Sequence, residues 1–572
     1  MQAWRKVGRA KGPLPAIGRA QNDRQMRQIL PRTGLPRPEI THGMLNLIVA
    51  GYVLLALNHG FWSRLLAQLP GGDSRSLIFG LGVFALTMLL LELLGPGRLQ
   101  KPVAAALILI AAGAGYYERT FGVLIDREMM RNIFETNFAE SSQLVTPRMV
   151  VTLLLTGVLP AALVFWPRVR RVGALHQLWR WPLGVALCFA VMAGAMFSHY
   201  KDYAAMLREK HEVMGAYQPG ATLVAGVRYA KEQWKTADPV AAPYGRDAVA
   251  GPRLARAEKP VLLVLFVGET ARAQNFGLNG SARDTTPDLA KRGVIAFTET
   301  TSCGTSTAVS VPCMFSGLGK AAYSREAALG RENLVDVLTH AGVQVEWWDN
   351  NAGDQNVAKS IGWDRVDRAI APDACARECT DEALLPVIEK AAAGIERNTV
   401  LVLHMIGSHG PAYYLRYPES RAAFTPDCRS TQFSDCSAQE IVNAYDNSIR
   451  ETDFVLSRAI DILSGSDRVI PAMLYLSDHG ESLGENGLYL HAAPAFMAPQ
   501  EQTRVPFVLW LDQRFTAAMG IATDCLRAKT GEKTSHDNLF STVLGLMDIR
   551  TGVRDPALDL TGDCHANERE TM

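Results

Sequence analysis

Apolar and polar positions divide this chain into two unlike halves. Before residue 200, five apolar stretches nearly free of charge cover 44–63, 77–95, 102–117, 149–166 and 182–199. Each is long enough, or nearly so, to cross a hydrocarbon core as a helix, the conformation that satisfies its own backbone groups there. The pattern predicts a five-helix transmembrane domain over 44–200, preceded by a basic tail over 1–43. A removable signal peptide does not fit, because the apolar runs repeat and the first begins well inside the chain.

Residues 201–259 read as a helical stretch followed by a linker, with 237–251 rich in Ala, Pro and Gly. From Pro260 onward the period changes. Short apolar runs at 261–267, 399–406, 472–476 and 505–511, and a run at 343–348 interrupted by Gln344 and Glu346, alternate with helical patterns. Runs without polar alternation are those of strands buried on both faces. Alternating with helices, they predict an α/β domain over 260–572. Four runs end in polar clusters: Gly268-Glu269-Thr270, Asp349-Asn350-Asn351, Gly407-Ser408-His409 and Ser477-Asp478-His479-Gly480-Glu481. Ligands of such sheets bind beyond the carboxyl ends of the strands, where these clusters fall.

Charge sets the orientation. The tail is rich in Arg and Lys; Arg98 and Lys101 follow the second apolar stretch, and Arg168, Arg170, Arg171 and Arg180 follow the fourth. With five spans all three groups share one side, and basic loops stay in the cytoplasm. Everything after Tyr200 is then outside. The cysteines point the same way. Cys188 lies in an apolar run, whereas Cys303, Cys313, Cys375, Cys379, Cys428, Cys436, Cys525 and Cys564 lie in the second half. An even number in close pairs indicates disulfides and an oxidising compartment. The net charge of +1 gives no support to a nucleic-acid partner.

Glu269, Asp478 and His479 supply two carboxylates and an imidazole, an oxygen/nitrogen set that suits zinc, and His404, His409 and His491 offer a second set. The segment Ser302-Cys-Gly-Thr-Ser-Thr-Ala-Val-Ser-Val-Pro-Cys313 places small hydroxyl residues before an apparent helix. A helix N-terminus suits a phosphoryl group, and a metal activates a hydroxyl that is otherwise a weak nucleophile. Composition does not separate Thr305, Ser306 and Thr307, and an N-cap cluster explains the same residues. In the loop between the third and fourth apolar stretches, Asn132, Thr136 and Glu140 recur at four-residue steps and share a helix face. That face holds a lipid headgroup or is simply solvated.

Several long segments carry a resemblance: Val267-Gly-Glu-Thr-Ala-Arg272, 301–315 around the hydroxyl cluster, Asp349-Asn-Asn351, Gly407-Ser-His-Gly-Pro-Ala-Tyr413, Asn443-Ala-Tyr-Asp-Asn447, and 477–491 from Ser477 to His491. In these, the sequence resembles the phosphoethanolamine transferases of the alkaline-phosphatase/sulfatase superfamily, most of all the lipid A branch that includes the mobile colistin-resistance enzymes. The resemblance implies an alkaline-phosphatase/sulfatase-like fold for 260–572. It implies Thr307 as nucleophile, zinc at Glu269, Thr307, Asp478 and His479, and His409 and His491 on the phosphate or on a second zinc. Asn351, His404 and Glu481 match nearby positions on the substrate side, and Asn132, Thr136 and Glu140 match a loop that meets the lipid. It also implies Cys303–Cys313, Cys375–Cys379 and Cys428–Cys436 bridges; elimination leaves Cys525 with Cys564. A lysine of some colistin-resistance enzymes is Gln355 here.

The implied reaction moves phosphoethanolamine from phosphatidylethanolamine to threonine and then to a lipid A phosphate, giving resistance to polymyxin and other cationic peptides. The implied setting is the bacterial inner membrane, with a monomeric enzyme and its catalytic domain in the periplasm. Alternatives are the same transfer onto lipopolysaccharide core or a periplasmic glucan, a zinc-dependent phosphatase or sulfatase-type hydrolase, and a membrane scaffold. The Cys/Ser-x-Pro-x-Arg motif of sulfatases is absent from the hydroxyl segment, and the intact metal set argues against a scaffold.

Overall fold

The computed structural model describes residues 37–69, 74–135, 138–170, 173–236 and 240–565. Most of the basic tail, Thr136 and the side chain of Glu140 lie outside the described residues.

Apolar helices occupy the first half where hydropathy placed them. Ser74–Leu94, Gly97–Phe121 and Leu178–Ser198 are long and apolar enough to cross a membrane. The first expected span is instead a pair, His42–Leu57 and His59–Gln68, bent by 70°. The bend sits at Asn58, whose amide donates to the carbonyls of Val53 and Gln218 at 2.8 Å each. Its side-chain oxygen accepts the Gln218 N–H at 2.6 Å. A carbonyl freed by the bend is thereby bonded inside the protein, as an apolar surrounding requires. The fourth stretch, Pro147–Leu163, is a shorter apolar helix. Among the described residues three helices, or four with the bent pair, pass as spans by length and composition, and Pro147–Leu163 occupies the remaining one of the five expected stretches as a shorter helix.

The segment after the last span folds back. Helices Tyr200–Glu209 and Gly220–Thr236 flank a turn whose Tyr217 hydroxyl meets Thr87 at 2.8 Å, and the Tyr203 hydroxyl donates to the Arg75 carbonyl at 2.7 Å.

The second half is built on one seven-stranded sheet. Its strands are β1 (Val261–Gly268), β2 (Ile295–Phe297), β3 (Gln344–Asp349), β4 (Asp364–Arg365), β5 (Thr399–His404), β6 (Ile470–Ser477) and β7 (Phe507–Leu511), in the order β2-β7-β6-β1-β5-β3-β4. The pairs β6–β1, β1–β5, β5–β3 and β3–β4 are parallel, and β7 is antiparallel to β6 and β2. Along β1, Val261, Leu263, Leu265 and Val267 enter one core, while Leu262, Val264 and Phe266 enter the other. Successive strand residues face opposite sides, so a strand covered on both sides reads as an unbroken apolar run. The second core also takes in Phe121 and Val123, at the end of the third apolar helix. Phe121 packs edge-on against Phe433 with ring centroids 6.4 Å apart. One core of the second half is therefore seated on the end of an apolar helix of the first. All four expected disulfides are present, including Cys525–Cys564.

Candidate active site

Strand register brings the expected metal ligands together. Ser477 pairs with Gly268 across β6 and β1, so the next residues, Asp478 and Glu269, leave the sheet side by side. His404 closes β5 opposite both Val267 of β1 and Asp349 of β3. Ligand atoms of Glu269, Asp478 and His479 all lie within 4.8 Å of one another, and all three side chains are buried.

Each ligand is held from behind. The Asp478 Oδ1 accepts the N–H groups of Thr270 and His479 at 3.1 and 2.7 Å. Its Oδ2 is buried without a hydrogen-bond partner. The His479 Nδ1 donates to the Gly480 carbonyl at 2.9 Å, which leaves Nε2 as the ring atom facing the carboxylates at 3.3 Å. That tautomer is the one a metal-binding imidazole needs. Glu269 accepts from Asn351 Nδ2 at 2.6 Å and from the Thr270 hydroxyl. Thr270 is held at a φ of 59°, a left-handed conformation unusual for a β-branched residue, so the surroundings enforce the turn that aims Glu269.

Two buried carboxylates beside one imidazole make a site that suits a cation. Burial opposes charge on Glu269, but His479 outweighs it and holds the carboxyl well below its usual range. Burial and the Glu269 charge push Asp478 up. Burial also opposes charge on His479, yet Asp478 and Glu269 raise that imidazole to about 10. A divalent cation would satisfy the same charges, and the orphaned Asp478 oxygen and the fixed His479 tautomer fit one.

Beside this cluster the helix Thr307–Ser316 begins. The Thr307 hydroxyl donates to Glu269 Oε2 at 3.0 Å and lies 3.3 Å from His479 Nε2. Val309 and Ser310 return their N–H groups to the Ser306 carbonyl, so those of Thr307 and Ala308 remain for a phosphoryl oxygen. The Cys303–Cys313 bridge closes the preceding loop onto the helix. Thr305 points elsewhere, its hydroxyl donating to the Ala493 carbonyl at 2.8 Å.

Two cavities meet at this point. A polar one of about 40 Å³ is lined by Thr307, Asn351, Gln355, His409, His491 and residues of the helix Arg127–Glu135. An apolar one of about 320 Å³ lies toward the membrane helices, between Tyr117, Phe121, Leu144 and Leu490. Asn132, His409 and His491 line both. Burial lowers His409 to about 3, so its ring is neutral at pH 7.

A family model for sulfatases matches residues 262–549, and one described as phosphoethanolamine transferase EptA/EptB matches residues 83–234. Phosphoethanolamine transferase EptA of Escherichia coli (strain K12) is 36% identical over 540 residues, covering 93% of this chain and 98% of the relative. The chain belongs to the phosphoethanolamine transferases. Phosphatidylethanolamine transferase Mcr-1 of Escherichia coli is 34% identical over 520 residues, covering 88% of this chain and 94% of that protein. The integral membrane lipooligosaccharide phosphoethanolamine transferase A of Neisseria meningitidis superposes with a TM-score of 0.88 at 34% identity, covering 93% of this chain and 100% of that one. Transmembrane helices followed by a sulfatase-like domain are thus the architecture of this phosphoethanolamine transferase.

Within the transferase, Glu269, Thr307, Asp478 and His479 converge, and Asn132, Asn351, His409 and His491 line the cavities beside them. His404 and Glu481, expected at the substrate, stand one layer back. His404 is fully buried between Asp349 and Asn351, and so props Asn351 under Glu269. Glu481 fixes His491 through Nδ1 at 3.1 Å and accepts the Tyr413 hydroxyl at 2.7 Å. Sequence reasoning missed His536. Its Nδ1 accepts the Cys303 N–H at 3.1 Å and its Nε2 donates to the Ser477 carbonyl at 2.9 Å, tying the Thr307 loop to the end of β6. It follows the short strand Lys533–Ser535, where no apolar run marks a strand end.

Proposed function

We propose that this enzyme carries phosphoethanolamine from phosphatidylethanolamine to a phosphate of lipid A by way of Thr307. Glu269, Thr307, Asp478 and His479 would hold one Zn2+. The observation that carries the reading is the Thr307 hydroxyl, 3.0 Å from Glu269 Oε2 at the head of a helix and in the wall of a polar cavity that shares Asn132, His409 and His491 with an apolar one. Bound there, Zn2+ would make the hydroxyl more acidic and neutralise phosphate oxygen charge. Thr307 gives its proton toward Glu269 and bonds to phosphorus as the bond from phosphorus to the diacylglycerol oxygen breaks. That oxygen leaves with the proton Thr307 gave up. An oxygen of the lipid A phosphate then bonds to the same phosphorus as the bond from phosphorus to Thr307 breaks, and the proton of that phosphate restores the Thr307 hydroxyl. His409 and His491, on the wall shared by both cavities, hold the phosphate in each half-reaction.

The setting follows from the same features. Basic segments before and between the apolar helices and four disulfides in the second half support an inner-membrane enzyme with its catalytic domain in the periplasm. One chain supplies every residue of the site, which supports a monomer. An amine added to lipid A offsets its negative charge and weakens its hold on cationic peptides such as polymyxin. The test is mass spectrometry of lipid A from a polymyxin-sensitive Gram-negative host expressing the wild type or Thr307→Ala. A phosphoethanolamine adduct in the first and none in the second is expected. An unmodified lipid A from folded, membrane-inserted wild type would move the acceptor to another envelope glycan.

A further inference from the structure

The transferred group carries a primary ammonium, and a phosphoryl site alone does not distinguish it from any other phosphodiester. The distinction must be made where the aminoethyl arm lies, close to Thr307. The polar cavity there, about 40 Å³ in volume, has room for roughly three waters at ~10–15 Å³ each, a size that suits such an arm. Among the described residues lining this cavity and its apolar neighbour, Glu135 is the only carboxylate, and neither cavity is lined by a lysine or arginine.

Glu135 is also less well paired than the acids around it. Glu128 takes bonds from Arg127 at 2.5 Å and from Arg131, and Glu232 takes Arg131 at 2.6 Å and Arg127 at 3.5 Å. Those contacts commit the Arg131 guanidinium. Glu135 Oε1 is left with Arg325 at 3.5 Å and Arg131 at 4.0 Å, both longer than the roughly 2.7–2.9 Å of a close charge-assisted bond. Burial pushes its carboxyl up, against the pull of Arg325 and Arg131. Arg325 in turn donates to the Ala308 carbonyl at 3.2 Å. One guanidinium therefore spans from Glu135 to the residue after Thr307, which fixes the carboxylate within a short arm's reach of the hydroxyl.

We propose that Glu135 binds the ammonium of phosphoethanolamine and so selects the headgroup, a role that rests on the Thr307 reading above. The glycerol and acyl portion of the donor then occupies the apolar cavity. The phosphate lies at the wall the two cavities share.

Two chromogenic diesters separate this role from a structural one: p-nitrophenyl phosphoethanolamine and p-nitrophenyl propyl phosphate, alike in length and different in charge. They are compared on the full-length zinc-loaded enzyme in detergent. Glu135→Gln is expected to lower the ratio of kcat/KM for the amine over the propyl ester by roughly 10- to 100-fold, the worth of a charged hydrogen bond. The propyl ester rate should hold, which shows the fold intact, and Glu135→Asp should keep part of the preference. An equal fall with both esters would make Glu135 a structural residue and overturn the proposal. So would an unchanged ratio, or a ratio lost in Glu140→Gln but kept in Glu135→Gln. Thr307→Ala, run alongside, reports on the nucleophile separately: if it retained activity, that assignment would fall while the ratio still decided Glu135.

Discussion

His536 must be neutral to do what it does. Its Nδ1 receives the Cys303 N–H and its Nε2 gives a proton to the Ser477 carbonyl; a second ring proton would face Cys303 donor to donor. Burial lowers this imidazole from 6.5 to about 4. A depressed folded value means that the unfolded chain takes up the proton first. The stabilisation is present above about 6.5 and is lost as pH falls toward about 4. His536→Asn is expected to melt lower at neutral pH, by about 1–3 kcal/mol for the lost bonds, and to lose less stability than wild type between those pH values. Parallel pH dependences of the two melting midpoints would contradict this role. At the residue scale, the carboxylates and imidazoles at the ends of long strands were legible because apolar runs announced them. Glu135 was not, since steps of four from Asn132 reach Thr136 and Glu140, and the three-residue neighbour on the same face was passed over.

The elements that differ from expectation differ for polar reasons that hydropathy averages away. The stretch 44–63 reads as one span because a lone asparagine barely changes its mean, yet Asn58 breaks it. Its side chain takes over two carbonyls and one N–H, so the bend is built into the sequence. Replacing it leaves those groups buried without partners, at about 1–3 kcal/mol for each. Asn58→Leu, closer to an ideal apolar helix, is therefore expected to lower the melting temperature of the detergent-solubilised protein. An unchanged or higher midpoint would show that the bend is held by packing alone. The sheet was the easier element to read. Burial on both faces leaves strands such as β1 without polar interruptions, and only the short strands β2 and β4 escaped notice.

On the scale of the molecule, the two halves meet where the chemistry happens. Phe121 and Val123 enter the core of the catalytic domain, Gln143 bonds Glu378 at 2.7 Å, and Arg148 bonds Ser434 at 2.8 Å. The apolar cavity lies between these contacts and shares His409 and His491 with the polar cavity that Thr307 lines. Composition foretold two halves but not how they join, because the joining residues are scattered aromatics and single polar pairs with no period. The proposed reaction turns on a covalent relay through Thr307. Full-length enzyme incubated with phosphatidylethanolamine in the absence of lipid A, digested and mapped by mass spectrometry, tests it most directly. Phosphoethanolamine on the peptide bearing Thr307, absent after zinc chelation and discharged when lipid A is added, is the expected result. Turnover of the donor with that peptide unmodified, or the group found on Thr305 or Ser306, would contradict it.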